Sequence, residues 1–211
     1  MTDSAKRRDR EFDLSGGLLC LDFANTVSKR KLPGHTVDNL AEYLDFVALA
    51  KQSKVLTLHH ARELLPAAAA YPKDATQVVR AARVLREAVY RAFAAIAGKR
   101  SVRKEDVELI EQFATEAMRH RHLTNSAGSF CWEWKRDEDD RTSLASLLWP
   151  IAHSAAELLT SERVVKVREC EAPTCAWLFL DDSRNHSRRW CDMSTCGNRQ
   201  KARRHYARMK G

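Results

Sequence analysis

Cys170-Glu171-Ala172-Pro173-Thr174-Cys175 and Cys191-Asp192-Met193-Ser194-Thr195-Cys196 decide how the last quarter of this 211-residue chain folds. Four of the six cysteines stand here, as two C-x4-C pairs with fifteen residues between them. Each short pair can present two thiolates from one tight turn, and a spacer of that length can fold back as a hairpin. A tetrahedral metal site built from two turns needs that pattern. Trp177 to Leu180 reads as a strand, Asp181 to Ser187 is rich in turn residues, and Ser187 to Trp190 reads as the returning strand. Gln200 to Lys210 contains neither Gly nor Pro and favours helix. Cys196 then lies at that helix's N-terminus, where the macrodipole stabilises a thiolate.

Knuckle, hairpin, second knuckle and helix follow in the order of a treble-clef zinc finger. The expected cofactor is one structural Zn2+ held by Cys170, Cys175, Cys191 and Cys196. The competing reading is two disulfides. A catalytic zinc is disfavoured, because four thiolates leave no position for water. A deaminase site is excluded by the lack of H-x-E and P-C-x-x-C. A segment of this size has a marginal apolar core, and structural zinc supplies about 10–16 kcal/mol of apparent binding free energy in small fingers. Cys20 and Cys131 read as buried apolar residues or strand-face thiols.

The run from Cys170 through Trp190-Cys191 to Cys196-Gly197-Asn198-Arg199 resembles the CGNR zinc finger family over residues 165–208. In that family the finger typically follows an ABATE domain. Leu19-Cys20-Leu21-Asp22-Phe23-Ala24-Asn25-Thr26, with apolar stripes at 78–97 and 144–160, resembles the ABATE pattern. The resemblance implies a bacterial, stress-linked transcription regulator whose finger binds DNA.

Charge points the same way. Residues 163–211 hold 12 Lys+Arg against 5 Asp+Glu, whereas residues 1–162 are nearly neutral, so almost all of the net +8 lies in the last quarter. Such asymmetry suggests a polyanionic partner, against the plainer reading of a solvated tail. On the last helix Ala202, Tyr206 and Met209 form a seam expected to face the finger's core. Lys201, Arg203, Arg204, Arg208 and Lys210 cover the rest. With Arg184, Arg188 and Arg189 of the hairpin and Arg199 beside the last ligand, these make the candidate nucleic-acid surface; Lys210 adds charge without being assigned a contact. Guanidinium forks fit phosphate oxygens and the guanine edge. The alternative is that some arginines pair with Glu171, Asp181 or Asp182, or support the thiolates. Arg199 reads as the most structural of them.

Residues 1–162 read as a mainly helical domain with minor strand, possible sites of ligand sensing or assembly, and residues 163–211 as the finger. Helices are expected around Val37 to Ala48 capped by Thr36, at Leu58 to Ala70 with a kink at Pro66, and at Asp74 to Ala97. Two more are expected after a Ser101 cap and from Leu144 to Leu159, broken or restarted at Pro150. Ser129 to Trp134 alternates as a half-buried strand, and Lys135 to Arg141 reads as a loop. Neither a P-loop, nor G-x-S-x-G, nor H-E-x-x-H occurs, so no enzyme is expected; an enzyme with an unrecognised site in the helical domain is the alternative. His59, His60, His120 and His122 read as surface residues, and Asp22, Asn25 and Thr26 as helix caps or a small polar site. No stretch approaches the roughly 20 apolar residues of a membrane span, and the charged start lacks an apolar leader, so a cytoplasmic location with reduced cysteines is expected. The partner is expected to be DNA, with RNA or protein docking as the alternative and a small-molecule effector in the helical domain.

Overall fold

The computed structural model describes residues 11–126, 128–136 and 143–210, without the side chains of Ser126, Arg204, His205, Arg208 and Lys210. The polar start and most of the loop expected over Lys135–Arg141 lie outside these residues. The elements run α1 (Leu19–Ala24), β1 (Val27–Ser28), β2 (Val37–Asp38), α2 (Tyr43–Gln52), α3 (Leu58–Ala70), α4 (Pro72–Ala97), α5 (Lys104–Arg119), β3 (Arg121–Ser126) and β4 (Ser129–Trp134). A 3-10 turn (Leu144–Leu148) leads into α6 (Trp149–Thr160), and a second (Glu162–Lys166) into β5 (Val167–Glu169) and β6 (Leu178–Leu180). A π turn (Met193–Gly197) opens α7 (Asn198–Lys210). The strands form three separate antiparallel pairs, β1–β2, β3–β4 and β5–β6. The chain is mainly α with minor β, as its sequence implies.

The long helix α4 is the spine. Ala82, Leu85, Val89 and Phe93 recur every three or four residues and are fully buried, so one stripe faces the core. Around it pack α1, α2, α3, α5 and the β5–β6 pair. Gly98 ends α4, its N–H bonding to Ala94 O. Pro150 occupies the first turn of α6, where its missing N–H costs nothing.

Four local expectations are corrected. The helix expected from Val37 begins only at Tyr43: Val37 and Asp38 pair with Ser28 and Val27, and Glu42 with Asp45 forms a capping box at the true start. The next helix starts at Lys104 after Arg103, not under a Ser101 cap. The alternation at Ser129–Trp134 is a strand, but it pairs with Arg121–Ser126 in register Leu123↔Trp132 and is not half-buried. Leu123, Phe130 and Trp132 remain more than half exposed on one face. Trp134 turns inward, meeting Trp149 and the edge of His153. His120 is likewise not a surface group, since its ring stacks on Trp149 at 3.8 Å.

The apolar core crosses from the helices into the cysteine-bearing segment. Val167, Leu178 and Leu180 belong to the same buried cluster as Phe23, Phe46 and Phe93. Burying side chains of this size contributes about 1.5–3 kcal/mol each, so β5 and β6 are fixed to the helical body rather than tethered to it.

Candidate metal centre and nucleic-acid interface

Two turns and one helix start assemble the cysteines. β5 and β6 form a hairpin whose tip is the first pair: Cys170 N–H bonds to Trp177 O at 2.8 Å, and Cys175 N–H to Ala172 O at 3.1 Å. Ala176 follows in the left-handed region, at φ 67°. The expected pairing of Trp177–Leu180 with Ser187–Trp190 is replaced by pairing with Val167–Glu169. The return segment instead joins the first knuckle through Glu171 N–H to Arg189 O, 3.0 Å. Asp181 shapes the intervening loop by accepting from Ser183 N–H, Ser183 Oγ and Arg188 N–H. Burial pushes its carboxyl up, but these donors outweigh that and hold it below the ordinary value. The second pair sits in the π turn, which Asp192 caps through Thr195 N–H at 2.8 Å. At Gly197 a Cβ would stand 2.5 Å from Met193 Sδ, so that flexible side chain would have to shift to admit one.

The four sulfurs all lie within 4.8 Å of one another, and Cys175–Cys191 and Cys191–Cys196 are each separated by 3.7 Å. Zinc–sulfur bonds of about 2.3 Å set the edge of a tetrahedron near 3.8 Å, so the spacing fits a closed four-thiolate site. It also excludes both disulfides, which need about 2.05 Å. Cys170 and Cys191 are buried together with Ala172 and Phe179. Without a cation these thiols cannot all ionise. Hydrogen bonds from Cys175 and Cys191 hold Cys170 far below the ordinary thiol value, and their own values are driven up in return. A divalent ion removes the conflict by holding all four as thiolates. Cys20 is fully buried and its thiol is pushed up to about 12 by burial, whereas Cys131 is exposed on β4.

A family model described as "Putative stress-induced transcription regulator", ABATE, matches residues 17–162. The chain belongs to the ABATE family. A second model, the CGNR zinc finger, matches residues 166–209 and covers the cluster just described. Among curated proteins nothing matches the chain.

The expected basic residues divide by what they touch. Arg188 lies over the Phe179 ring at 4.5 Å, donates from Nε to Trp190 O at 2.9 Å and reaches Cys191 O with Nη2. Arg189 pairs with Glu171 at 2.7 Å and lies over Trp190. These two brace the knuckles. Asp182 is taken by Arg163 and Lys166. Arg184, Arg199, Lys201 and Arg203 are exposed and have no carboxylate partner among the described residues. The side chains of Arg204 and Arg208 lie outside the described residues.

The seam on α7 is also corrected. Tyr206 is 66% and Met209 72% exposed, because the finger's small core is filled by the cysteines, Ala172 and Phe179. The helix packs chiefly on the turn that precedes it. Among the described side chains of the helix, Asn198, Arg199, Lys201, Ala202, Arg203, Tyr206, Ala207 and Met209 are exposed.

Sequence reasoning missed the seat of the finger. β6 bonds to β5 through Cys170–Trp177 and Asp181–Lys166, so Leu178 and Leu180 turn their backbone groups outward. Asn25 fills that edge: its Oδ1 accepts Leu178 N–H and its Nδ2 donates to Leu178 O, both at 2.8 Å. Gly16 O accepts Leu180 N–H at 2.9 Å, and Trp177 Nε1 donates to Val27 O at 2.8 Å. Behind the seat, Arg86 is nearly buried and joins Asp38, Glu87 and Thr26. The signal was present in the sequence as Asp22, Asn25 and Thr26 within an otherwise apolar run.

Proposed function

We propose that this ABATE-family chain is a cytoplasmic bacterial transcription regulator that binds duplex DNA with its finger and α7, the helical domain sensing a ligand or driving assembly. Zn2+ held by Cys170, Cys175, Cys191 and Cys196 has a structural role here, anchoring the start of α7. The observation that carries the reading is α7 itself. Its described side chains are mostly exposed, residues 193–210 contain no acidic residue, and Arg199, Lys201 and Arg203 are exposed at its start. A free cationic helix of 13 residues suits a major groove or a phosphate backbone. Arg184, with Arg204 and Arg208, would extend the contact, while Arg188 and Arg189 would act by holding the knuckles. Chemistry on a substrate has no part in this reading.

Electrophoretic shifts of the zinc-loaded chain on duplex DNA, structured RNA and single strands test it, alongside a chain ending at residue 197. Preference for duplex, lost on truncation, supports the proposal. A preference for RNA, or equal shifts by the truncated chain, overturns it. Docking to a protein is the second reading, favoured by the exposed Leu123, Phe130 and Trp132 of the β3–β4 hairpin.

A further inference from the structure

A cleft of about 740 Å³ lies between the start of α2, the last turns of α3 and the first half of α4. Local sequence opens it. After Leu65 and Pro66, α3 ends in Ala67 to Ala70, so its last turn carries no side chain beyond Cβ and cannot reach across to α2. The walls are Leu44, Leu65, Ala68, Ala75 and Val79. Tyr43 also borders the cleft, but its hydroxyl is committed elsewhere, to Leu144 O at 2.9 Å. The lining is therefore mainly apolar, and its charged and hydroxyl-bearing members besides Tyr43 are Glu42, Thr76, Arg80 and Arg83.

Those groups are arranged for an anion. Arg80 and Arg83, one turn apart on α4, both border the cleft. Arg83 is held in place by Leu40 O at 3.0 Å, Ala41 O at 3.3 Å and Asp38 at 3.2 Å. Arg80 is exposed and has no carboxylate partner among the described residues. The other polar residues are already engaged: Glu42 caps α2, and Thr76 Oγ1 donates to Pro72 O at 2.8 Å. An apolar cleft of this size with few polar groups at one end is the ordinary form of a small-molecule site. Arg83 also shares Asp38 with Arg86, which reaches Thr26 at the finger's seat, so cleft and seat meet at one carboxylate.

We infer that this cleft binds a single-tailed amphiphile bearing one carboxylate, with the tail along Leu44, Leu65 and Val79 and the carboxylate on Arg80. This names the ligand class for the sensing role proposed above and rests on that reading only for its biological consequence. The test contains no nucleic acid, so its failure and the failure of DNA binding are separate results. Isothermal titration of the full zinc-loaded chain with decanoate, 1-decanol and decyltrimethylammonium, all below their aggregation limits, measures the site. Decanoate should bind saturably at one per chain and more tightly than the alcohol, with the cationic amphiphile weakest. Arg80→Ala should weaken decanoate about tenfold, the scale of one charged hydrogen bond, and leave decanol unchanged. Ala69→Trp, at an exposed position lining the cleft, should abolish both. Should that variant fold poorly, Arg80→Glu serves in its place and should reverse the preference toward the cation. Absence of saturable binding, equal affinity for both charges, or decanoate binding indifferent to Arg80 overturns the inference.

Discussion

Replacing Asn25 with Ala removes the side chain that completes the outer edge of β6. Asn25 is 3% exposed and Leu178 fully buried, so in the variant both the N–H and the C=O of Leu178 lose their partners where water does not reach. Each unsatisfied buried group costs about 1–3 kcal/mol, which sets the expected loss at roughly 2–6 kcal/mol. For a chain of this length about 1 kcal/mol moves the thermal midpoint by about 2–4 °C, so the variant should melt at least about 4 °C and up to about 24 °C lower at fixed zinc concentration. The loss should be local as well as global. Amide exchange should accelerate at Leu178 and Leu180 and along β5, with α4 retaining its protection until global unfolding. Asn25→Asp preserves an acceptor for Leu178 N–H but sets a carboxylate against Leu178 O, so it should not rescue the fold. An Asn25→Ala protein within about 0.5 kcal/mol of wild type, the range of ordinary surface changes, with Leu178 still protected, would refute the assignment of Asn25 as the finger's anchor.

Cys191→Ser should lose the metal and the order of the two knuckles, residues 170–175 and 191–197, whereas Cys20→Ser and Cys131→Ser should retain one zinc per chain by elemental analysis. Asp22 is pushed up to about 7, chiefly by burial, against an ordinary 3.8. The wild type therefore loses stability as pH rises from about 4 to about 7, and Asp22→Asn, which still accepts Gly16 N–H, should be flatter over that window in denaturant midpoints. Asp38 moves the other way: burial raises it, but Arg86 and Arg83 outweigh that and hold it below its ordinary value. Its stabilisation is complete above about pH 4 and fades as acid takes it through the depressed native value, so Asp38→Asn should flatten the acid limb of the stability curve. Met209→Ser should leave the thermal midpoint unchanged, since that side chain is 72% exposed.

The metal site was legible because ligand spacing is a local property. Two C-x4-C pairs and a helix start determine four sulfur positions almost irrespective of what lies behind them. The stripe of α4 was legible for the same reason, its period holding from Ala82 to Phe93. The errors came where a distant partner decided the outcome. Val37 and Asp38 fit a helical period, yet β1 claims them as a strand and Arg86 claims the Asp38 carboxylate. Ser187–Trp190 reads as a returning strand, but β6 pairs with β5 instead. Tyr206 and Met209 form a seam that implies a core, yet both side chains are mostly exposed. Asn25 shows the limit most clearly: an asparagine ending a short helix looks like a cap until a strand more than 150 positions later meets it.

The central claim, that the finger's exposed basic helix grips duplex DNA, is tested most directly by the salt dependence of binding. Fluorescence anisotropy of the zinc-loaded chain on labelled duplex gives log K against log salt concentration for wild type and for Arg199→Ala/Lys201→Ala/Arg203→Ala. Each lost phosphate contact should flatten the slope by about 0.9, so the triple variant should bind more weakly and fall in slope by about 2–3, with zinc content and thermal midpoint preserved. Unchanged affinity and slope in a variant that still holds its zinc would contradict the account.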